Sequence, residues 1–183
     1  MRKNAFILFF VFTSVSLFAQ KQLTREAFVK FYSETPVENI EAKTNEASSV
    51  IDLSNGEFVC QVLMKSFLFE KALMQEHFNE NYVESEKYPK AVFKGSISDW
   101  SSFPGLKKDG EMEMKISGSL TLHGVEKPLE TIVTLIVKNG KISMSSKFMV
   151  SPSDFNIEIP GAVVDKISKE IEVTFKANYS PVN

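Results

Sequence analysis

The sequence predicts an all-β domain of about eight antiparallel strands, closed into a barrel or stacked as a two-sheet sandwich. Three observations predict it. Apolar and polar residues alternate with period two over most of the chain, the signature of half-buried strands. Turn signals separate the alternating runs at hairpin spacing. Only one stretch, within residues 67–81, carries apolar residues at helical spacing.

The strands follow in order. Residues 27–33 and 40–53 form two early candidates, the second long enough to expect a bulge. In the third, Phe58, Cys60, Val62 and Met64 share one face and Val59, Gln61, Leu63 and Lys65 the other. One short helix, at about residues 70–80, comes next, with Ala72, Leu73, Met74 and Phe78 on one side and Glu70 and Glu76 on the other. The remaining strands are 91–100, 112–122, 129–137, 142–150 and 171–179, and a second short turn or helix is expected near 161–169. Ser54-Asn55-Gly56 and Lys138-Asn139-Gly140 read as Asn-Gly hairpin turns, because both central residues tolerate positive φ. Lys108-Asp109-Gly110 and His123-Gly124 mark two further breaks.

Residues 1–19 read as an address, with Arg2 and Lys3 followed by the apolar run AFILFFVF and a weaker TSVSLFA stretch. That is the pattern of a secretory signal peptide cleaved after Ala19. Thr13, Ser14 and Ser16 interrupt the run, which falls short of the ~20 apolar residues of a spanning helix. Residues 20–183 then form one domain, exported to the periplasm or secreted, with no stable membrane span after cleavage.

Composition narrows the function. The 183 residues carry 21 basic and 23 acidic side chains, a net charge of −2, which argues against a nucleic-acid partner. The single Cys allows no internal disulfide, and together with two His it leaves too few ligands for zinc; no cofactor or metal is expected. A hydrolase triad needs an imidazole beside a nucleophile and a carboxylate. His77 lies in the helical stretch and His123 at a turn, both read as structural, so no catalytic residue is assigned. Cys60 shares parity with Phe58 and reads as a buried, inert thiol, a link between two chains being the other reading; monomer and homodimer both remain open.

What remains is apolar surface. Met64, Met74, Met112, Met114 and Met144 fall on apolar parities or in the helix, whereas Met149 does not. Such residues fill an ordinary core or line an adaptable pocket. Ala91, Gly95, Gly118 and Ser146 at inward parities leave room for a pocket.

Several motifs carry a resemblance. Tyr88-Pro89 with Phe93 is similar to the strand entry of the YceI-like family of exported lipid-binding proteins. Gly118 to Pro128, GSLTLHGVEKP, resembles the family's most recognisable signature. Phe148 through Asp154-Phe155-Asn156-Ile157 is similar to a strand that ends near aspartate-phenylalanine-glycine-isoleucine, with Asn156 in place of the Gly and Pro152-Ser153 where an Arg is usual. The resemblance spans about Leu23 to Tyr179. It implies an eight-stranded antiparallel, lipocalin-like β-barrel with a helix or loop across one end, and an apolar long-chain lipid, polyprenyl or quinone-type, inside. On that basis the expected function is a non-enzymatic carrier. The tunnel would be lined by Phe58, Cys60, Val62, Met64, Phe93, Ile97, Met112, Met114, Ile116, Met144, Phe148, Val173 and Phe175, with Met74, Phe78 and Trp100 at the mouth. The alternative is a filled barrel that serves as an interaction module of the cell envelope with no small-molecule ligand.

Overall fold

The computed structural model describes residues 20–182; the signal-peptide reading falls on residues 1–19, outside the described residues. The eight long strands are β1 (Lys21–Glu34), β2 (Asn39–Asp52), β3 (Glu57–Leu63), β5 (Lys90–Ile97), β6 (Gly110–Leu122), β7 (Val125–Lys138), β8 (Lys141–Val150) and β9 (Ile171–Asn178). Two-residue strands β4 (Leu68–Phe69) and β10 (Ser180–Pro181) are added at the ends. The order β1-β9-β8-β7-β6-β5-β3-β2, with β2 paired back onto β1, closes an antiparallel barrel. Closure leaves none of the eight as a free edge, so each strand's backbone groups find partners on both sides.

β1 and β2 are long because each serves two further partners. β1 pairs β9 over Phe28–Tyr32 and β10 at Gln22–Leu23; β2 pairs β3 over Ser48–Ile51 and β4 at Ala42–Lys43. The expected bulge is there, in duplicate. The β1–β2 register shifts between Thr24 and Ala27 and again between Ala27 and Val29. The first shift adds a residue to β1 and the second adds one to β2, bending the ribbon around the barrel.

Turn chemistry sets the other registers. Asn139 (φ 52°) and Gly140 (φ 73°) link β7 to β8 as a two-residue turn with both centres left-handed. His123 (φ 51°) and Gly124 (φ 74°) do the same between β6 and β7. Asn55-Gly56 departs from the expected two-residue turn. Only Gly56 has positive φ there, and the loop runs from Asp52, whose carboxylate accepts from the Ser54 N–H and hydroxyl. Asn156, standing where the family pattern has Gly, also takes positive φ (55°), a conformation Asn tolerates better than most side chains.

The barrel is pinched at one place. Gly95 on β5 and Gly118 on β6 face each other across the ladder. A Cβ on Gly118 would sit 2.2 Å from the Lys94 carbonyl oxygen and 2.5 Å from the Gly95 Cα. The two glycines are therefore needed for close backbone approach, and they do not furnish the pocket space expected from their parity. The helical stretch is shorter than its apolar spacing suggests: helix α1 covers Ala72–His77 and continues as a π-helical turn through Tyr82. Phe67 precedes it in extended backbone, and Leu73 is exposed. Near 161–169 a single 3-10 turn, Gly161–Val163, is formed.

Candidate functional site

One end of the barrel is plugged. Trp100 lies against the backbone of Gly56, donates its indole N–H to the Leu53 carbonyl (2.9 Å), and stacks on Phe103 at 4.4 Å between centroids. Above the plug the interior is solid. Ile51, Ile97, Met114, Leu135, Val137 and Ile142 are all buried, and the Tyr179 hydroxyl meets the Ser49 hydroxyl at 2.9 Å. Burial pushes the Tyr179 phenol well above its ordinary range.

The other half is hollow, with a cavity of about 540 Å3, within the range of small-ligand sites. The strands line it over only part of their length. On β3 and just past its end the wall residues are Phe58, Cys60, Val62 and Met64; on β5, Ala91 and Phe93 but not Gly95 or Ile97. On β6, Ile116 lines it but Met112 and Met114 do not; on β8, Met144 does but Ile142 does not; on β9, Phe175 does but Ala177 does not. Phe58 stands at this floor, 5.9 Å from both Phe93 and Phe175.

The wall offers a ligand few hydrogen-bonding groups. Ser33 accepts from the Ser168 N–H at 2.8 Å, and Ser146 donates to the Ile132 carbonyl at 2.7 Å. Thr131 turns to the Lys147 carbonyl and the Ser146 hydroxyl. Cys60 is half-buried on the cavity wall, and burial pushes its thiol up to about 12. A surface of this kind suits hydrocarbon.

The mouth is framed by the β1–β2 turn, the 68–82 segment and the 152–167 segment. Phe78 reaches from the π-helical turn onto Phe31 (5.2 Å) and Phe69 (5.1 Å), with Phe67 completing the cluster. The charged lining residues, Glu38, Lys71 and Lys166, lie here. Lys71 donates to Glu38 at 2.9 Å and holds that carboxyl below its ordinary value, with a smaller pull from Lys166. His77 also borders the opening.

His123 fastens the segments beside the mouth. Its Nδ1 donates to the Phe155 carbonyl (3.0 Å), Nε2 faces the Glu84 carboxylate at 2.7 Å, and the ring lies edge-on to Tyr88 at 4.6 Å. Gly124 is required beside it, because a Cβ would meet Tyr88 at 2.5 Å. The Tyr88-Pro89 and His123-Gly124 motifs, distant in sequence, thus form one joint.

Of the sixteen residues expected at the site, Phe58, Cys60, Val62, Met64, Phe93, Ile116, Met144, Phe148, Val173 and Phe175 line the cavity, and Met74 and Phe78 lie at its mouth. Four do not. Ile97, Met112 and Met114 point inward but sit below the floor, because parity gives a face and not a height along the barrel axis. Trp100 belongs to the plug at the opposite end from the mouth. The alternative of a filled barrel describes only this lower half. Wall residues not singled out from the sequence include Phe31, Leu129 and Ile159. Leu129 follows the alternation of β7 and was legible; Ile159 lies in an irregular segment with no period to read.

The YceI-like domain is matched over residues 21–179. No curated protein sequence matches the chain. Among solved structures, a polyisoprenoid-binding domain from Saccharophagus degradans implicated in plant cell wall breakdown superposes with a TM-score of 0.77 at 18% identity, covering 90% of this chain and 99% of that one. BcnA of Burkholderia cenocepacia gives 0.69 at 15% identity over 84% and 96% of the two chains. A YceI protein of Campylobacter jejuni gives 0.60 at 17% identity over 82% and 89%. At these identities the likeness is one of fold.

Proposed function

This chain belongs to the YceI-like family, and from that premise we propose that its barrel is a non-enzymatic carrier of an isoprenoid, polyprenyl or quinone-type, or a similar long-chain lipid. The observation that carries the reading is the cavity: about 540 Å3, walled by aliphatic, aromatic and Met side chains, with its hydroxyls turned to backbone partners. Burying hydrocarbon there gains about 0.8 kcal/mol per CH2 withdrawn from water. The polyisoprenoid-binding domain from Saccharophagus degradans shares the fold and supports the choice of ligand class. The lack of enzymatic activity is supported by His123, whose two ring nitrogens are both engaged by structural partners. Export is part of the proposal and rests on the charged and apolar pattern of residues 1–19.

Ala91 on the cavity wall provides the test. Ala91→Trp sets an indole into the space a ligand would take. The expected result is a folded protein whose uptake of polyprenyl or quinone lipids from solution falls at least about tenfold, about 1.4 kcal/mol or more, equivalent to losing burial of about two methylenes. Unchanged uptake by the folded variant overturns the assignment of the cavity.

A further inference from the structure

We infer that Phe58 is the stop that sets chain length, so that the barrel takes a single lipid chain only to a fixed depth; the inference rests on the lipid-binding reading.

Depth is fixed from below. The strands that wall the cavity line it over only part of their length, and past the lined stretches lie Ile97, Met114, Leu135 and Ile142, each at most 8% exposed. Trp100 and Phe103 then close the barrel end. A chain entering at the mouth has no exit. Phe58 is held in place by Phe93 and Phe175, so it does not swing aside. Carbons that the floor keeps out stay at the mouth beside Glu38, Lys71 and Lys166, where burial gains less.

The measurement is affinity against chain length for straight-chain alcohols of about ten to about thirty carbons, read by displacement of a fluorescent long-chain probe. Affinity of the wild type rises roughly fourfold per carbon and levels off once the chain reaches the floor. Phe58→Ala moves the level-off about three carbons longer, each added carbon filling about 30 Å3 of the vacated space. Ile116→Phe, which raises the same floor, moves it shorter. Should Phe58→Ala fail to fold, Phe58→Leu shifts the level-off in the same direction by less. A level-off at one position in wild type and variants, or none in the wild type, overturns the role of Phe58. No binding at any length overturns the lipid reading itself, and this inference with it.

Discussion

Replacing His123 by Ala removes the joint beside the mouth, and its cost can be worked from the contacts. The Phe155 carbonyl loses a side-chain donor; a hydrogen bond of this kind is worth about 1 kcal/mol net. The contact with Glu84 is shorter, but the carboxylate side chain is 44% exposed, so its share is discounted to at most about 1 kcal/mol. Edge-on packing against Tyr88 adds about 0.5 kcal/mol or more. The expected loss is about 2.5 kcal/mol, seen as a lower urea midpoint with an unchanged slope. His123→Asn separates side chain from backbone. Asn tolerates the positive φ of this position but cannot span Phe155 and Glu84 together, so it should recover little. A loss below about 0.5 kcal/mol for the Ala variant, or full recovery by Asn, would refute the reasoning.

Two further outcomes follow from packing and burial. Gly118→Ala puts a methyl against backbone atoms that cannot rotate away, and should cost about 3 kcal/mol or prevent folding, whereas Gly110→Ala, with nothing within 4 Å, should cost under about 0.5 kcal/mol; equal costs in urea unfolding would contradict the pinched β5–β6 contact. Stability should hold to about pH 9 and fall above it. Folding raises Cys60 from 9.0 to about 12 and raises Tyr179 above its ordinary 10.0, so the native state keeps protons the unfolded chain releases. Between about pH 10 and pH 12 each group removes up to about 1.4 kcal/mol per pH unit. Cys60→Ala and Tyr179→Phe should each flatten that decline, and a decline unchanged in both would disprove its assignment to these groups.

Strand periodicity made the barrel legible, because a period of two is imposed wherever one face is buried. It also found most of the cavity wall, since wall and core share the inward face. It could not divide that face by height, which is why Met112, Met114 and Ile97 were placed with Phe58 and Cys60. Height depends on stagger between neighbouring strands, a long-range property that no single strand carries. Trp100 was misplaced for a related reason: its partners, Leu53 and Gly56, come from another hairpin. Gly95 and Gly118 were read as room because the sequence shows a missing side chain, not the backbone that occupies its place. The Asn55-Gly56 pair was read as a two-residue turn because the Asp52 side chain, which organises the longer loop, lies outside the dipeptide signal.

The central claim is that a half-hollow barrel holds a lipid chain. Native mass spectrometry of the purified protein, followed by organic extraction of the bound fraction, tests it most directly. The account predicts one apolar long-chain molecule per barrel, displaced or absent in Ala91→Trp. A bare polypeptide mass that stays bare after incubation with polyprenyl lipids and quinones would contradict it.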